Sequence, residues 1–357
     1  MSRTYKMATP TWFRANIGKV AFDDNASNAN YVGFIGYGAL ATRSRGVGAM
    51  KHRDGSVTWS DGDTEAAKGA LTGADSYHAR ISGSRYGSYM PEIDFTTAHV
   101  ARVYDYMLGG TNNFEVDRVA AERSAEPAGG IEAWRHSTRS NRAFLGRVVR
   151  WLVEARGIRQ FLDLGSGLPT EQNVHQLAQS LASEARVVYV DIDPVVLAHA
   201  HTLLAGTPEG TTRFLIADML EPDAIVSDAA QDLDFTQPIA VLMFTILHNV
   251  PDEANPWATV ARYVDAVCSG SYLAISHLTG DFNPVVMAQV KDALDEDMAE
   301  PFILRPRDDI LQFFTGTELT EPGLVHINDW HVEIAPSPPP PAGDVAAPIY
   351  GGIGRKP

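Results

Sequence analysis

Three aspartates that end three apolar runs are the residues best placed for chemistry. Phe161-Leu-Asp163-Leu164 leads straight into Gly165-Ser166-Gly167. Arg186-Val-Val-Tyr-Val190 ends on Asp191 and Ile192, and Arg213-Phe-Leu-Ile216 is followed by Asp218 and Met219. A glycine turn after a strand lets the backbone approach a ligand closely. An acid at the tip of the second strand can accept both hydroxyls of a ribose. An acid at the third can accept from an exocyclic adenine amine. Asp163 opens the loop, and a carboxylate there suits a cationic group better than a phosphate. Each aspartate taken singly also reads as a loop or helix cap.

The elements that position these residues alternate strictly. Arg139–Arg156 has one apolar helical face and stops at Gly157. A strand at 161–164 follows, then a helix from Gln172 to about Ser183. After the strand 186–190, Asp193 caps a helix that starts at Pro194 and runs to about Leu204. Strands at 213–216 and 239–246, a helix over 256–267 and a strand over 272–276 continue the pattern. Helices at 284–298 and 306–314 and a hairpin over 318–334 close it. Strand–helix alternation predicts a doubly wound, mostly parallel sheet, whose ligands bind at the carboxyl ends of its strands. That places all three acids at one edge. Thr170 stands where a dinucleotide fingerprint needs Gly or Ala, which counts against a nicotinamide cofactor. Acid, glycine loop, ribose acid and adenine acid together describe S-adenosyl-L-methionine. It has an amino-acid end, a sulfonium, a ribose and an adenine, and no phosphate.

Charge divides the chain. Its 29 Lys+Arg and 44 Asp+Glu give −15. Residues 1–89 hold 11 and 7 of these, so they carry +4 and residues 90–357 carry −19. The acidic part disfavours nucleic acid as a partner. The lone Cys268 excludes an internal disulfide and a thiolate zinc cluster. No His/Asp/Glu spacing suggests a metal site. Residues 1–89 are rich in Gly, Ser and Arg and poor in Leu and Ile, so they read as a disordered extension with a short hairpin over 31–40. The natural start is expected at Met90. No run suits a signal peptide or a membrane span, which points to a cytoplasmic protein. Residues 90–138 read as a helical cap, 139–335 as the sheet core, and 336–357 as a Pro-rich segment with a short tail.

Five motifs carry a resemblance. They are Ala101-Arg-Val-Tyr-Asp-Tyr-Met-Leu-Gly-Gly110 with Asn113-Phe114 and Asp117-Arg118; Leu162-Asp-Leu-Gly-Ser-Gly-Leu-Pro-Thr170; Val188-Tyr-Val-Asp-Ile-Asp-Pro194; Leu247-His248 with Pro251-Asp252; and Gly352-Ile-Gly-Arg-Lys-Pro357. With these, residues 90–357 resemble the actinobacterial S-adenosylmethionine-dependent methyltransferase family, formerly known as a domain of unknown function. The resemblance implies a class I methyltransferase fold, Rossmann-like, with a seven-stranded sheet whose last strand is antiparallel. It implies the cofactor but not the acceptor, which is expected to be a small molecule. A cofactor-binding regulatory protein without turnover and a nicotinamide oxidoreductase are the competing readings.

Three further groups are candidates. Tyr104, Tyr106 and Asn113 surround a glycine pair and form either a lid over the cofactor or packing within the cap; aromatic faces attract a sulfonium. Arg102 either clamps the cofactor carboxylate or pairs with Asp105. His248 follows the fourth strand in a segment similar to the base-bearing segment of small-molecule O-methyltransferases, although Asn249 and Val250 replace the Asp and Trp expected there. It is a candidate general base. His277, ending the next strand, is a candidate for the same pocket. The acidic run Asp292–Glu300 reads as a solvated helix face, and Phe313, Phe314 and Trp330 as core or pocket wall.

Overall fold

The computed structural model describes residues 30–32, 49–51, 57–59, 96–169, 172–193, 195–196, 206–298, 301–339 and 347–357. The chain divides into two units, Met1–Tyr89 and Met90–Pro357. In the first, β1 (Asn30–Val32), β2 (Ala49–Lys51) and β3 (Val57–Trp59) pair antiparallel in that order. Tyr31 and Val32 pair with Met50 and Ala49, and the rest of the hairpin expected over 31–40 lies outside the described residues. The expectation of disorder over 1–89 otherwise falls outside the described residues.

The second unit opens with α1 (Val100–Leu108), α2 (Glu115–Ala125) and α3 (Ile131–Arg156). Helix α3 has 26 residues and begins at Ile131, not Arg139, so the expected border between cap and core at 138 falls inside one helix. The added turns bury Ser137 and Thr138, whose hydroxyls donate to the carbonyls of Ala133 (3.2 Å) and Trp134 (2.8 Å). A buried stripe made of small polar residues gives no hydrophobic period, which is why the pattern stopped short.

The strands of this unit are β4 (Gln160–Leu164), β5 (Arg186–Asp191), β6 (Thr211–Ile216), β7 (Ala240–Phe244), β8 (Tyr272–Leu278), β9 (Glu318–Leu319), β10 (Val325–His326) and β11 (Ile349–Arg355). They form an eight-stranded sheet in the order β10-β11-β8-β7-β4-β5-β6, with β9 beside β11. Neighbours from β8 to β6 are parallel. The last strand, β11, is antiparallel to β8, with Ile349 opposite Leu278 and Arg355 opposite Tyr272. Two expectations are corrected here. The tail after the Pro-rich segment is a strand of the sheet. No 318–334 hairpin forms, because β9 and β10 each pair with β11.

Alternate strand residues point to opposite faces and so into two cores. Phe161, Val187, Tyr189, Ala240 and Leu242 pack with α3, α4 (Val174–Leu181) and α7 (Pro284–Asp297). Leu162, Val188, Val190, Val241 and Met243 pack with α5 (Pro222–Ala229), α6 (Pro256–Ala266) and α8 (Arg307–Gln312). Both faces of the sheet are thus covered, as the continuous apolar strands require. Trp330 is core, edge-on to Phe144 at 5.5 Å and Trp151 at 5.9 Å, and Phe313 and Phe314 are core as well. Within the acidic run, Arg123 of α2 bonds Glu296 and Asp297, so that helix face docks the cap rather than only facing water. The helix expected over 194–204 lies, beyond Val195 and Val196, outside the described residues, as do Thr170 and Glu300. Among the described residues no helix is long and apolar enough to cross a membrane.

Candidate active site

A cavity of about 240 Å³ opens at the carboxyl ends of β4, β5, β6 and β7. Asp163, Gly165, Ser166, Gly167, Asp191, Ile192, Asp218 and Met219 all line it, so one site gathers the residues expected at three strand ends. Gly165 has φ 70°, and a Cβ there would stand 2.5 Å from the Ile246 side chain. Only glycine fits. The Gly165 and Ser166 N–H groups donate to Val190 O at 2.8 and 3.1 Å. Asp191 ties the loop down: its Oδ2 accepts from Gly167 N at 2.7 Å and its Oδ1 from Asp193 N at 2.9 Å. Each oxygen keeps a lone pair for a further donor. Asp218 Oδ1 accepts from Leu220 N at 2.9 Å. Ser166 Oγ is buried without a partner among the described residues. Ile192, 55% exposed, stands at the rim.

Electrostatics follow burial. Burial pushes the Asp163 carboxyl up to about 7, with Asp191 adding to the rise and Arg142 opposing it. Burial also raises Asp191, against the two backbone donors that favour its anion. His99 joins the wall from the start of α1, its Nδ1 2.9 Å from Asp193 Oδ2.

The cap segment is built differently from the lid expectation. Tyr104 lines the cavity, its hydroxyl accepting from Asn141 Nδ2 at 3.0 Å. Tyr106 does not; its hydroxyl donates to Glu122 at 2.7 Å on the outside of the cap. Asn113 is also elsewhere. Its Nδ2 donates to Asp105 Oδ2 (2.8 Å) and Gly110 O (3.0 Å). Arg102 is not in the cavity and does not pair with Asp105. Its guanidinium donates to Asp117 Oδ1 (3.1 Å) and Thr97 O (2.7 Å) and covers the Phe114 ring. The centre of this motif is Asp105, which also accepts from Asn112 N at 2.8 Å. Gly110 packs so tightly on that carboxylate that a Cβ would lie 2.1 Å from Oδ1. The glycine pair therefore serves loop packing. Asp105→Ala will strand the Asn112 N–H and an Asn113 Nδ2–H and cost about 2–4 kcal/mol, read as a lower urea midpoint. A loss under about 0.5 kcal/mol would show that the loop does not depend on it.

The two histidines separate. His277 is buried on β8, with Nδ1–H donating to Leu278 O at 2.6 Å and Nε2 accepting from Arg305 Nη1 at 3.1 Å. Burial and the Arg305 charge lower it to about 3. Both nitrogens are engaged within the protein and the ring lines neither cavity described here, so the expected pocket role is corrected. His248 sits in the turn after β7 and lines a second, smaller cavity of about 60 Å³. That cavity adjoins the first, sharing Val100, Tyr104, Asn141 and Thr245 with it. Burial, His277 and Arg305 hold the His248 ring neutral.

Sequence reasoning missed Asn141, Thr245 and Ser276. Asn141 Nδ2 donates to Tyr104 Oη and, at 3.2 Å, to Thr245 Oγ1, while its Oδ1 accepts from Ser276 Oγ at 2.7 Å. Thr245 holds φ 48°, rare for a β-branched residue. Its partners lie 31 and 104 residues away, and no local motif signals them. Arg142, one residue on from Asn141, also lines the larger cavity.

A mostly parallel, doubly wound sheet with a glycine loop and three carboxylates at adjacent strand ends defines a class I, Rossmann-like methyltransferase. The chain belongs to the S-adenosyl methyltransferase family, which it matches over residues 87–357. A DUF574-family protein from Streptomyces avermitilis is 40% identical, over 74% of this chain and 100% of that one, with TM-score 0.70. A structure titled a putative methyltransferase, from Thermobifida fusca, is 38% identical over 74% and 96%, with TM-score 0.65. No curated protein matches. The protein is thus an S-adenosyl-L-methionine-dependent methyltransferase. The residues present fit that cofactor: the cradle admits no Cβ at Gly165, Ser166 Oγ is buried without a partner among the described residues, and three carboxylates and the Arg142 guanidinium line the cavity.

Proposed function

We propose that the larger cavity holds S-adenosyl-L-methionine and that the protein methylates a small-molecule acceptor entering beside it. The observation that carries this is the convergence of Asp163, Asp191 and Asp218 on one cavity with the Gly165–Gly167 loop. Asp163 receives the ammonium and Asp191 the ribose hydroxyls. Asp218, with Met219 and Ile192, receives the adenine. Arg142, which donates to Gln172 O at 2.9 Å and faces the same cavity, replaces Arg102 as the guanidinium for the carboxylate end. When bound, the cofactor supplies a methyl group on a sulfonium, already a good leaving group. The protein then has to align the acceptor and exclude water. Tyr104, locked by Asn141, borders both cavities and presents an aromatic wall to the sulfonium. His248, neutral and lining the smaller cavity, is available as the base.

Calorimetry tests this. S-adenosylmethionine and S-adenosylhomocysteine will both release heat, and NAD will not. Asp191→Ala will weaken both more than tenfold, about 1.4 kcal/mol or more. Silence with both methyl-donor forms, or unchanged affinity in the variant, rejects the assignment.

A further inference from the structure

Ser276 touches neither cavity, yet the hydrogen bonds at their border start from it. It lies on β8, fully buried, and lines neither the larger nor the smaller cavity. Its Oγ accepts from Thr245 N at 3.0 Å and donates to Asn141 Oδ1 at 2.7 Å. The directions follow from one another. A backbone N–H can only donate, so Ser276 Oγ must accept there, and its single proton is left for Asn141. Asn141 therefore presents its oxygen to Ser276 and its NH2 group to the other side. There it donates to Tyr104 Oη at 3.0 Å and to Thr245 Oγ1 at 3.2 Å. Tyr104 Oη in turn donates toward Thr138 O, 3.4 Å away. One chain of bonds thus runs from β8 through α3 to α1 and to the turn after β7.

The residues it fixes form the border itself. Val100, Tyr104, Asn141 and Thr245 line both cavities, so a methyl group leaving one for the other passes among them. None of the four is cationic. Tyr104 brings an aromatic ring, which attracts a cation within about 6 Å of its centre. That attraction depends on where the ring is held, and Asn141 holds it by its hydroxyl. Thr245 is kept against its local preference, at φ 48° where a glycine would sit freely. Ser276 closes that turn twice, since Thr245 N also donates to its carbonyl oxygen at 3.0 Å. Backbone over-determined in this way by its surroundings clusters at functional sites.

We propose that Ser276 is a positioning residue: through Asn141 it fixes Tyr104 and Thr245 at the border of the two cavities, and thereby sets how the protein discriminates the charged methyl donor from its neutral, demethylated product. The inference rests on the larger cavity's being the cofactor site. S-adenosylmethionine and S-adenosylhomocysteine differ only in the methyl group and the positive charge at sulfur. The ratio of their affinities therefore reports on the wall around the sulfur, while the ammonium, ribose and adenine contacts cancel. Loosening that wall removes the donor's cation contact. The product carries no charge there and has none to lose.

Calorimetric titration of both ligands into the full chain tests this. Ser276→Ala keeps the backbone acceptor and removes only the hydroxyl. It is expected to lower the ratio of S-adenosylmethionine to S-adenosylhomocysteine affinity about fivefold or more, the scale of one cation–aromatic contact. Tyr104→Phe, which keeps the ring and removes its anchor, should lower the ratio to a similar extent. Because both act on one chain of bonds, the double variant should fall no more than about twofold below the lower single variant. A general loosening of the fold would weaken both ligands alike and leave the ratio where it was. An unchanged ratio in Ser276→Ala, or losses that multiply in the double variant, overturns the proposal. In either case the cofactor site still stands if both ligands bind the unaltered protein. If neither ligand binds the unaltered protein, the cofactor site falls and the proposal with it. Should Ser276→Ala fail to fold, Asn141→Leu, similar in shape and unable to donate, should lower the ratio by the same factor. An unchanged ratio there overturns the proposal equally.

Discussion

Affinity for S-adenosylmethionine is expected to rise about tenfold per pH unit between pH ~5 and 7 and to level off above, and Asp163→Asn to remove most of that rise. The reason is the burial of Asp163, which lifts its carboxyl from an ordinary 3.8 to about 7. A protonated carboxyl cannot attract the cofactor's ammonium. Below pH 7 binding must first expel the proton, and each unit of pH then costs about 1.4 kcal/mol. The same shift has the opposite sign for the unliganded fold. Between about 4 and 7 the folded state keeps a proton that the unfolded state has released, so stability falls as pH rises through that window. Thermal melts without ligand should therefore decline toward pH 7 as calorimetric affinity climbs. Asp163→Asn should make both curves shallower, the raised Asp191 carboxyl keeping a residual slope, and weaken binding at pH 7.5 by tenfold or more. An affinity independent of pH in the unaltered protein would show that Asp163 does not meet the ammonium.

Arg305→Met is expected to cost about 3–5 kcal/mol, and Asp252→Asn less than about 1. Arg305 is fully buried and is the tie for the turn that carries His248. It donates to Leu247 O (2.8 Å), Val250 O (2.7 Å), His277 Nε2 (3.1 Å) and Asp252 Oδ1 (2.6 Å), with Trp257 and Phe313 against its plane. Methionine fills some of the volume but leaves two carbonyls and an imidazole nitrogen unpaired in the interior. Asp252 is 59% exposed, so its share of the pair is screened by water. Urea denaturation of the two variants separates the contributions. Equal losses would mean the ion pair, rather than the backbone ties, holds the turn. S-adenosylhomocysteine binding should survive Arg305→Met at low denaturant, since Arg305 is not among the residues lining the larger cavity.

The gathering of the three acids at one cavity was legible because of topology. Asp163, Asp191 and Asp218 each follow a short apolar run, and parallel strands bring such ends to one edge whatever their exact packing. The cap was misread for a physical reason also visible in the sequence. Tyr104 and Tyr106 stand two apart in α1, so they project roughly 200° apart and one helix cannot aim both at a ligand. Tyr104 faces in and Tyr106 faces out. Arg102 and Asn113 are polar residues whose partners, Asp117 and Asp105, lie 15 and 8 positions away. Residue type alone suggested a ligand where the fold had already satisfied them.

By itself the sequence determined the strand–helix alternation, the glycine loop and the edge at which the three acids meet, since these depend on local periodicity and on strand direction. Tertiary structure alone decided which side chains meet in the smaller cavity. Trp134 comes from α3, His248 from the turn after β7 and Met298 from the end of α7, and they line one cavity only because the helices pack on that face of the sheet as they do. Whether Trp134 Nε1 and His248 Nδ1 find partners depends on which carbonyls and hydroxyls packing leaves within about 3 Å, and hydrogen-bond accounting of that kind exists only in three dimensions.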